Sequence, residues 1–287
     1  MATPPPWDTI AIVGVGLIGG SIGLAARERK LARSIVGIGR RLEPLQTALA
    51  RGAITHATTD LARGVSDARL VVVCTPVATI VPTIRTALEC VPPGALVTDA
   101  GSTKASIVAA CEEAARATGS RGRFVGSHPM AGSHKTGVDA STADLFVDRK
   151  VIVTPTDRTP LDATTEVKQF WQSLGAQLVE LTPDAHDEAV AAISHLPHLV
   201  AATLAGSTPR ELVPLAAGGW RDSTRIAGGD PELWRQILTD NRGHVLRALD
   251  RLMTHLSEIK RSLADGDDAS LLRHLEAGKG IRDALGN

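Results

Sequence analysis

Neither sign of charge is in excess in this chain: its 287 residues carry 31 Lys and Arg against 31 Asp and Glu, a formal net charge of +0. Without a basic surplus there is no electrostatic footprint for nucleic acid or an anionic membrane surface, so a small-molecule partner is the expectation. Cysteine is scarce. Cys74, Cys90 and Cys111 lie far apart with no Cys-x-x-Cys pair, which argues against a disulfide framework or a structural zinc site and fits a reducing, cytoplasmic setting. The opening MATPPPW has no basic segment leading into an apolar run, and no stretch reaches about 18 uncharged apolar residues, so neither a secretory leader nor a membrane span is expected. Repeats are absent, and low complexity is confined to the opening prolines. The length suits two domains of ordinary size or one large one.

What is present begins with strand, tight turn and helix. Thr9 to Val13 is an apolar, β-branched run, glycine breaks it, and an amphipathic stretch follows from Leu17 to Lys30. The turn holds Gly14-x-Gly16-x-x-Gly19. In a dinucleotide-binding unit the first glycine makes the turn, the second admits the pyrophosphate and the third lets helix and strand pack, while N–H groups at the helix start, here Leu17 and Ile18, face the phosphates. A glycine-rich loop without a ligand is the competing reading.

The next strand, Ile35 to Ile38, ends in Gly39-Arg40-Arg41 and lacks the acid that would hold an NAD ribose. Arg40 and Arg41 can pair with a 2′-phosphate instead, so NADP is favoured and NAD remains possible; two solvated arginines are the alternative. Leu70 to Cys74 is an all-apolar run of the kind buried in a parallel sheet, and Thr75-Pro76 ends it where cofactors lie. A helix over about 78–90 and a strand over 96–98 continue the alternation. The stretch Asp99 to Lys104 then leads into a helix through about residue 118. Ser102 or Thr103 fits its N-cap, and Ser102 and Lys104 also fit a place beside the nicotinamide or substrate.

Phe124 to Asp139, FVGSHPMAGSHKTGVD, concentrates candidate chemistry. The spacing predicts a short strand, Phe124 to Gly126, that delivers His128 at its carboxyl end, followed by a loop holding Ser133 and His134. A histidine there, facing a nicotinamide, is a natural proton acceptor; a capping or core histidine is the plainer reading. Strands over 151–153 and 177–181 flank a helix over 164–174, and the first domain is expected to span residues 1–182.

From residue 183 to 287 the pattern turns helical. Thr182-Pro183 is an N-cap followed by proline at the first helical position. That helix carries His186, Asp187 and Glu188, then His195 and His198, with Pro197 expected to bend it. The histidine pair lacks a recognisable set of further ligands, so no metal is expected. Gly218 to Arg225 reads as a loop whose Arg221 and Arg225 can clamp carboxylates. Asp230-Pro231 starts a helix expected to run through about Leu263. In it Val245, Leu249, Leu252, Leu256, Ile259 and Leu263 make a heptad seam, partly expected to pack across a homodimer.

The segments GVGLIGGSIGLA, DAGSTK, GSHPMAGSHKTGVD, ISHLPH and WRDSTRIAGGDPELW occur in this order, and together the chain resembles the prephenate/arogenate (cyclohexadienyl) dehydrogenase family of tyrosine biosynthesis. The resemblance implies an α/β, Rossmann-like dinucleotide-binding domain followed by an all-helical dimerisation domain. It implies oxidative decarboxylation of prephenate or arogenate with hydride transfer to NAD or NADP. By the same resemblance His128 accepts the proton of the ring hydroxyl, Ser102 supports it, and Arg225 holds a substrate carboxylate. Arg221, Trp234, His195, His198, Ser133 and His134 are expected at the same pocket. His134 stands where some members carry an acid. The chain stops soon after Leu285, so no regulatory or mutase domain is expected, and any tyrosine feedback would act at the active site.

Two other readings compete. A β-hydroxyacid-type dehydrogenase would use a lysine on the first long helix of the second domain, yet no lysine lies between Lys168 and Lys260. A non-catalytic nicotinamide-sensing protein leaves His128, Arg221 and Arg225 without a task.

Overall fold

Short apolar runs separated by amphipathic helices build a single sheet in the computed structural model, which describes residues 6–117, 119, 122–132 and 135–286. Its strands are β1 (Trp7–Val13), β2 (Ala32–Ile38), β3 (His56–Thr58), β4 (Leu70–Val73), β5 (Leu96–Asp99), β6 (Arg123–Pro129), β7 (Lys150–Thr154) and β8 (Gln177–Glu180), in the spatial order β3-β2-β1-β4-β5-β6-β7-β8. The first six are parallel; β7 runs antiparallel to β6, and β8 parallel to β7. Connecting helices are α1 (Leu17–Glu28), α2 (Leu42–Ala50), α3 (Leu61–Val65), α4 (Val77–Cys90), α5 (Ala105–Ala117) and α6 (Leu161–Ser173).

Alternate residues of one strand feed two cores. Ile10 and Ile12 of β1 join Leu70, Val72, Phe170 and Trp171 on one face, while Ala11 and Val13 join Val71, Val73, Ile80 and Ile84 on the other. Burial on both faces is why these strands read as unbroken apolar runs. Chain order reverses between β1 and β4, and that switch point opens a crevice at their carboxyl ends.

Beyond β8 the chain is helical: α7 (Pro183–Val190), α8 (Leu196–Ser207), α9 (Gly218–Thr224), α10 (Pro231–Asp240), α11 (Arg242–Asp265) and α12 (Asp268–Asp283). Thr182 caps α7 as expected, its hydroxyl accepting from the Ala185 N–H at 3.2 Å. Pro197 lies at the start of α8, just past a change of helix type. Residues Ala191–His195 form one π-helical turn joining α7 to α8, and the wider turn accommodates the hydrogen bond that proline cannot make.

Several expectations are corrected. Residues 218–225 are not a loop: Gly218–Thr224 is α9, and Arg225–Gly228 a short 3-10 turn. The helix from Asp230 is two helices, because Asn241 between α10 and α11 turns its side chain inward. The strand that delivers His128 is longer than Phe124 to Gly126; β7 pairs with it through Pro129, opposing His128 to Ile152. Helix Pro183–Ser207 is also long and apolar enough by composition to cross a membrane, with a hydropathy of 1.4. In the fold it is docked on the sheet domain through Asp187, whose carboxylate accepts from the N–H groups of Lys104 at 2.7 Å and Ala105 at 2.8 Å.

Candidate active site

The glycine turn shapes the first half of the site. Gly14 has a φ of 92°, and a Cβ there would lie 2.7 Å from the Cys74 carbonyl oxygen; a Cβ on Gly19 would lie 2.2 Å from that of Gly14. Gly16 has nothing within 4 Å of its Cβ position. The turn is therefore closed where strand and helix meet and open where a ligand passes. The start of α1 has no side-chain cap, so its first N–H groups, including those of Leu17 and Ile18, are left for a phosphate.

A cleft of about 840 Å³ lies over this turn, lined by Gly14, Gly16, Arg40, Arg41, Thr75 and Pro76, and closed on one side by Glu232 and Gln236 of α10. Its Thr75 Oγ1 is buried without a hydrogen-bond partner. These features suit a dinucleotide, with a cradle that a Cβ would fill and an open passage beside free N–H groups. Arg40 and Arg41 are exposed at the rim, and neither enters an ion pair among the described residues. Gly19, Leu17 and Ile18 do not line the cleft; Ile18 packs on the core.

The second half is a buried polar cluster at the carboxyl ends of β5 and β6. His128 Nδ1 lies 2.8 Å from His186 Nε2, and His186 Nδ1 lies 2.8 Å from Asp187 Oδ1. Beneath them Lys104, fully buried, pairs with Asp99, which also accepts from the Gly101 N–H at 2.9 Å and the Ser127 N–H at 3.2 Å. The Trp171 indole donates to Ser127 Oγ at 2.9 Å, fixing the strand next to His128. The N-terminus of α5 is met by Asp187 rather than by Ser102 or Thr103, and Thr103 Oγ1 is buried without a partner.

Helical-domain residues close the cluster. Asn241 Nδ2 donates to the Asp187 carbonyl at 2.7 Å and lies 3.1 Å from His195 Nδ1. Trp234 stacks on His198, with centroids 3.6 Å apart and planes 10° from parallel, and stands edge-on to His195.

Burial keeps these imidazoles uncharged. It drives His128 well below the usual histidine range, and His186, Lys104 and His195 push the same way. His186 is lowered by burial, against an opposing hydrogen bond to Asp187. Burial likewise lowers His195 to about 4, opposed by Asp187 and the Ser102 backbone. For Asp187 burial acts upward, but hydrogen bonds from His186 and the backbone of Ala105 and Lys104 outweigh it and hold the carboxyl below its usual range. A neutral imidazole beside an ionised carboxylate is an arrangement for accepting a proton.

Other expected residues stand apart. Arg221 and Arg225 are exposed; Arg221 Nε donates to the Ala216 carbonyl at 3.2 Å, and Arg225 opens the turn whose Ile226 backbone reaches His198. Ser102 is half-buried beside the cluster, with its backbone near His195. Ser133 and His134 lie outside the described residues. Asp187, His186 and Asn241 were not assigned to the site from sequence. A helix-weakening Asn inside the expected long helix was the one local signal for the last.

The model for the nucleotide-binding domain of prephenate dehydrogenase matches residues 22–180, and that for its dimerization domain residues 182–277. Prephenate dehydrogenase of Bacillus subtilis is 38% identical over 97% of this chain and 76% of its own length. Cyclohexadienyl dehydrogenase of Zymomonas mobilis is 31% identical over 96% and 95%. Among solved structures, prephenate dehydrogenase of A. aeolicus in complex with hydroxyphenyl propionate and NAD+ superimposes with a TM-score of 0.89 at 31% identity, covering 99% of both chains. Arogenate dehydrogenase of Synechocystis gives 0.81 at 31% identity over 96% and 99%. With both family models in register along the chain, and a cofactor crevice and a histidine cluster where a dehydrogenase needs them, the protein belongs to the prephenate dehydrogenase family.

Proposed function

We propose that this protein catalyses the nicotinamide-dependent oxidative decarboxylation of prephenate or arogenate in tyrosine biosynthesis, with His128 accepting the proton of the ring hydroxyl. The observation that carries this reading is a buried, neutral imidazole on β6, tied at Nδ1 to a second histidine. When bound, the nicotinamide takes up hydride from the carbinol carbon. The chain's own part is to orient the substrate and to remove one proton, since loss of carbon dioxide from a ring becoming aromatic is strongly downhill. Ser102 supports His128 and the substrate hydroxyl. Arg225 holds a carboxylate by charge-assisted hydrogen bonds, with Arg221, Ser133, His134, His195, His198 and Trp234 around it. Gly14, Gly16, Thr75 and Pro76 line the cleft for the dinucleotide, the backbone N–H groups of Leu17 and Ile18 meet its phosphates, Gly19 lets the turn close behind it, and Arg40 and Arg41 favour NADP over NAD. The division into domains falls between residues 182 and 183, the helical domain pairs with a second copy, and the enzyme works in the cytoplasm.

The test is to incubate the protein with prephenate or arogenate and either cofactor while following reduced nicotinamide. Turnover with at least one pair, lost in His128→Asn, is expected; no turnover with any pair rejects the reading.

A further inference from the structure

The polar chain behind His128 fixes where its protons sit. The Asp187 carboxylate can only accept, so the proton on His186 lies at Nδ1, 2.8 Å from Asp187 Oδ1. That leaves His186 Nε2 as a lone pair. Facing it at 2.8 Å, His128 Nδ1 must then be the donor, and the remaining nitrogen of His128, Nε2, carries a lone pair. Asp187 is in turn locked by the backbone N–H groups of Lys104 and Ala105 and, through its own carbonyl, by Asn241.

We propose that His186 and Asp187 are positioning residues forming a proton relay behind His128: they set its Nε2 lone pair and take over the positive charge when a proton arrives. Resting on the reading of His128 as proton acceptor, the step balances as follows. The substrate O–H bond breaks and an N–H bond forms at His128 Nε2. The proton on His128 Nδ1 passes to His186 Nε2, so that its bond to Nδ1 breaks as the new one forms. His128 ends neutral with its proton on the other nitrogen, and His186 becomes an imidazolium paired with the Asp187 carboxylate. After product release the N–H bond at His128 Nε2 breaks, its proton passing to solvent, and the proton on His186 Nε2 returns to His128 Nδ1, which restores the first state.

Charge is better held on His186 than on His128. The groups facing His128 are His186 from α7, Lys104 from the segment before α5 and His195 from the π turn, and each disfavours a cation there. Lys104 is paired with the buried Asp99. Lys104 acts against a cation on His186 too, but His186 touches the Asp187 carboxylate, and that contact, with the charge of Asp99, opposes the cost of its burial. A charge moved one ring further from the substrate also leaves the reacting region less polar, so the relay acts on the rate rather than on binding.

Two substitutions separate setting the lone pair from taking the charge. His186→Gln can still accept from His128 Nδ1 but cannot take a proton, whereas His186→Phe can do neither. Nitrogen-15 spectra of histidine-labelled, ligand-free protein are expected to show His128 with a lone-pair nitrogen at Nε2 and a protonated Nδ1, assigned by the signal lost in His128→Asn. A protonated Nε2 on His128 in that spectrum overturns the proposal whatever the His186 variants do. For His186→Gln, kcat is expected to fall about tenfold or more, with KM little changed and the acid limb of the pH profile displaced; for His186→Phe the fall is on the order of 100-fold. Unchanged kcat and an unchanged pH profile in His186→Gln, with His128→Asn inactive, would sink the relay and leave the proton-acceptor reading standing. Full turnover in His128→Asn would remove both.

Discussion

Asn241 donates one proton of its amide to the Asp187 carbonyl at 2.7 Å and presents the other to His195 Nδ1 at 3.1 Å. The first bond fixes which way the amide faces, because a carbonyl cannot donate. His195 is therefore held with its proton on Nε2. Asn241→Leu leaves a buried carbonyl and an imidazole nitrogen unpaired, an expected loss of about 1–3 kcal/mol in urea unfolding. Asn241→Asp reverses the hydrogen bond, moves the His195 proton to Nδ1, and is expected to raise KM for the cyclohexadienyl substrate more than it lowers kcat.

Stability should depend on pH in one direction below neutrality. His128, His186, His195 and His198 all have folded-state pKa values below the ordinary 6.5, so the native chain binds fewer protons than the unfolded one. Their contribution is complete above 6.5 and is lost as pH falls through 6.5 towards the folded values, which for His195 is about 4. His195 alone corresponds to about 3 kcal/mol across that window. Asp187 is shifted in the same direction, but its contribution is complete above its ordinary 3.8 and is lost only as pH falls through and below that value, beneath this window. Urea midpoints measured between pH 7 and 4 should fall steadily; a flat profile would mean that these imidazoles are not held neutral.

Cofactor choice should turn on the rim of the crevice. Arg40→Asp replaces a cation with the acid that suits a ribose hydroxyl, and the ratio of NADP to NAD affinity is expected to drop about tenfold or more. Fluorescence titration with both cofactors measures it. A ratio that does not move assigns Arg40 to solvent.

The helical domain leaves an apolar face uncovered in one copy. On α11, Leu256 is 54% exposed and Leu263 63%, although both belong to the seam that begins with buried Val245. Light scattering is expected to give twice the 30.0 kDa chain mass. Leu256→Glu with Leu263→Glu should give single chains, since charges facing each other across such a seam are costly.

The sheet was legible because each of its central strands is buried on both faces, and the glycine turn because its spacing obeys the backbone alone. The place of His128 at the carboxyl end of the sheet was legible in the same way, although it lies within β6 rather than after it. The residues around it were not. Asp187 meets α5 across 82 and 83 positions of chain, and Asn241 reaches Asp187 across 54. Contacts that long leave no periodicity. The heptad pattern begins only at Val245 and carries no information on the break at Asn241 before it. Helix α9 was missed because Gly218 and Gly219 at its start read as loop.

Asp187 ties two bodies together as well as two imidazoles. It sits on the first helix after the sheet, yet its carboxylate seals the open end of α5, a helix of the preceding domain. Gln236 of α10 does the same for α4, accepting from the Ala78 N–H at 3.2 Å, and Ser106 on α5 donates to Asp240 at 2.7 Å. Swinging the domains apart would bare two helix ends and part His186 from His128 in the same motion. The joint is thus a latch rather than a hinge.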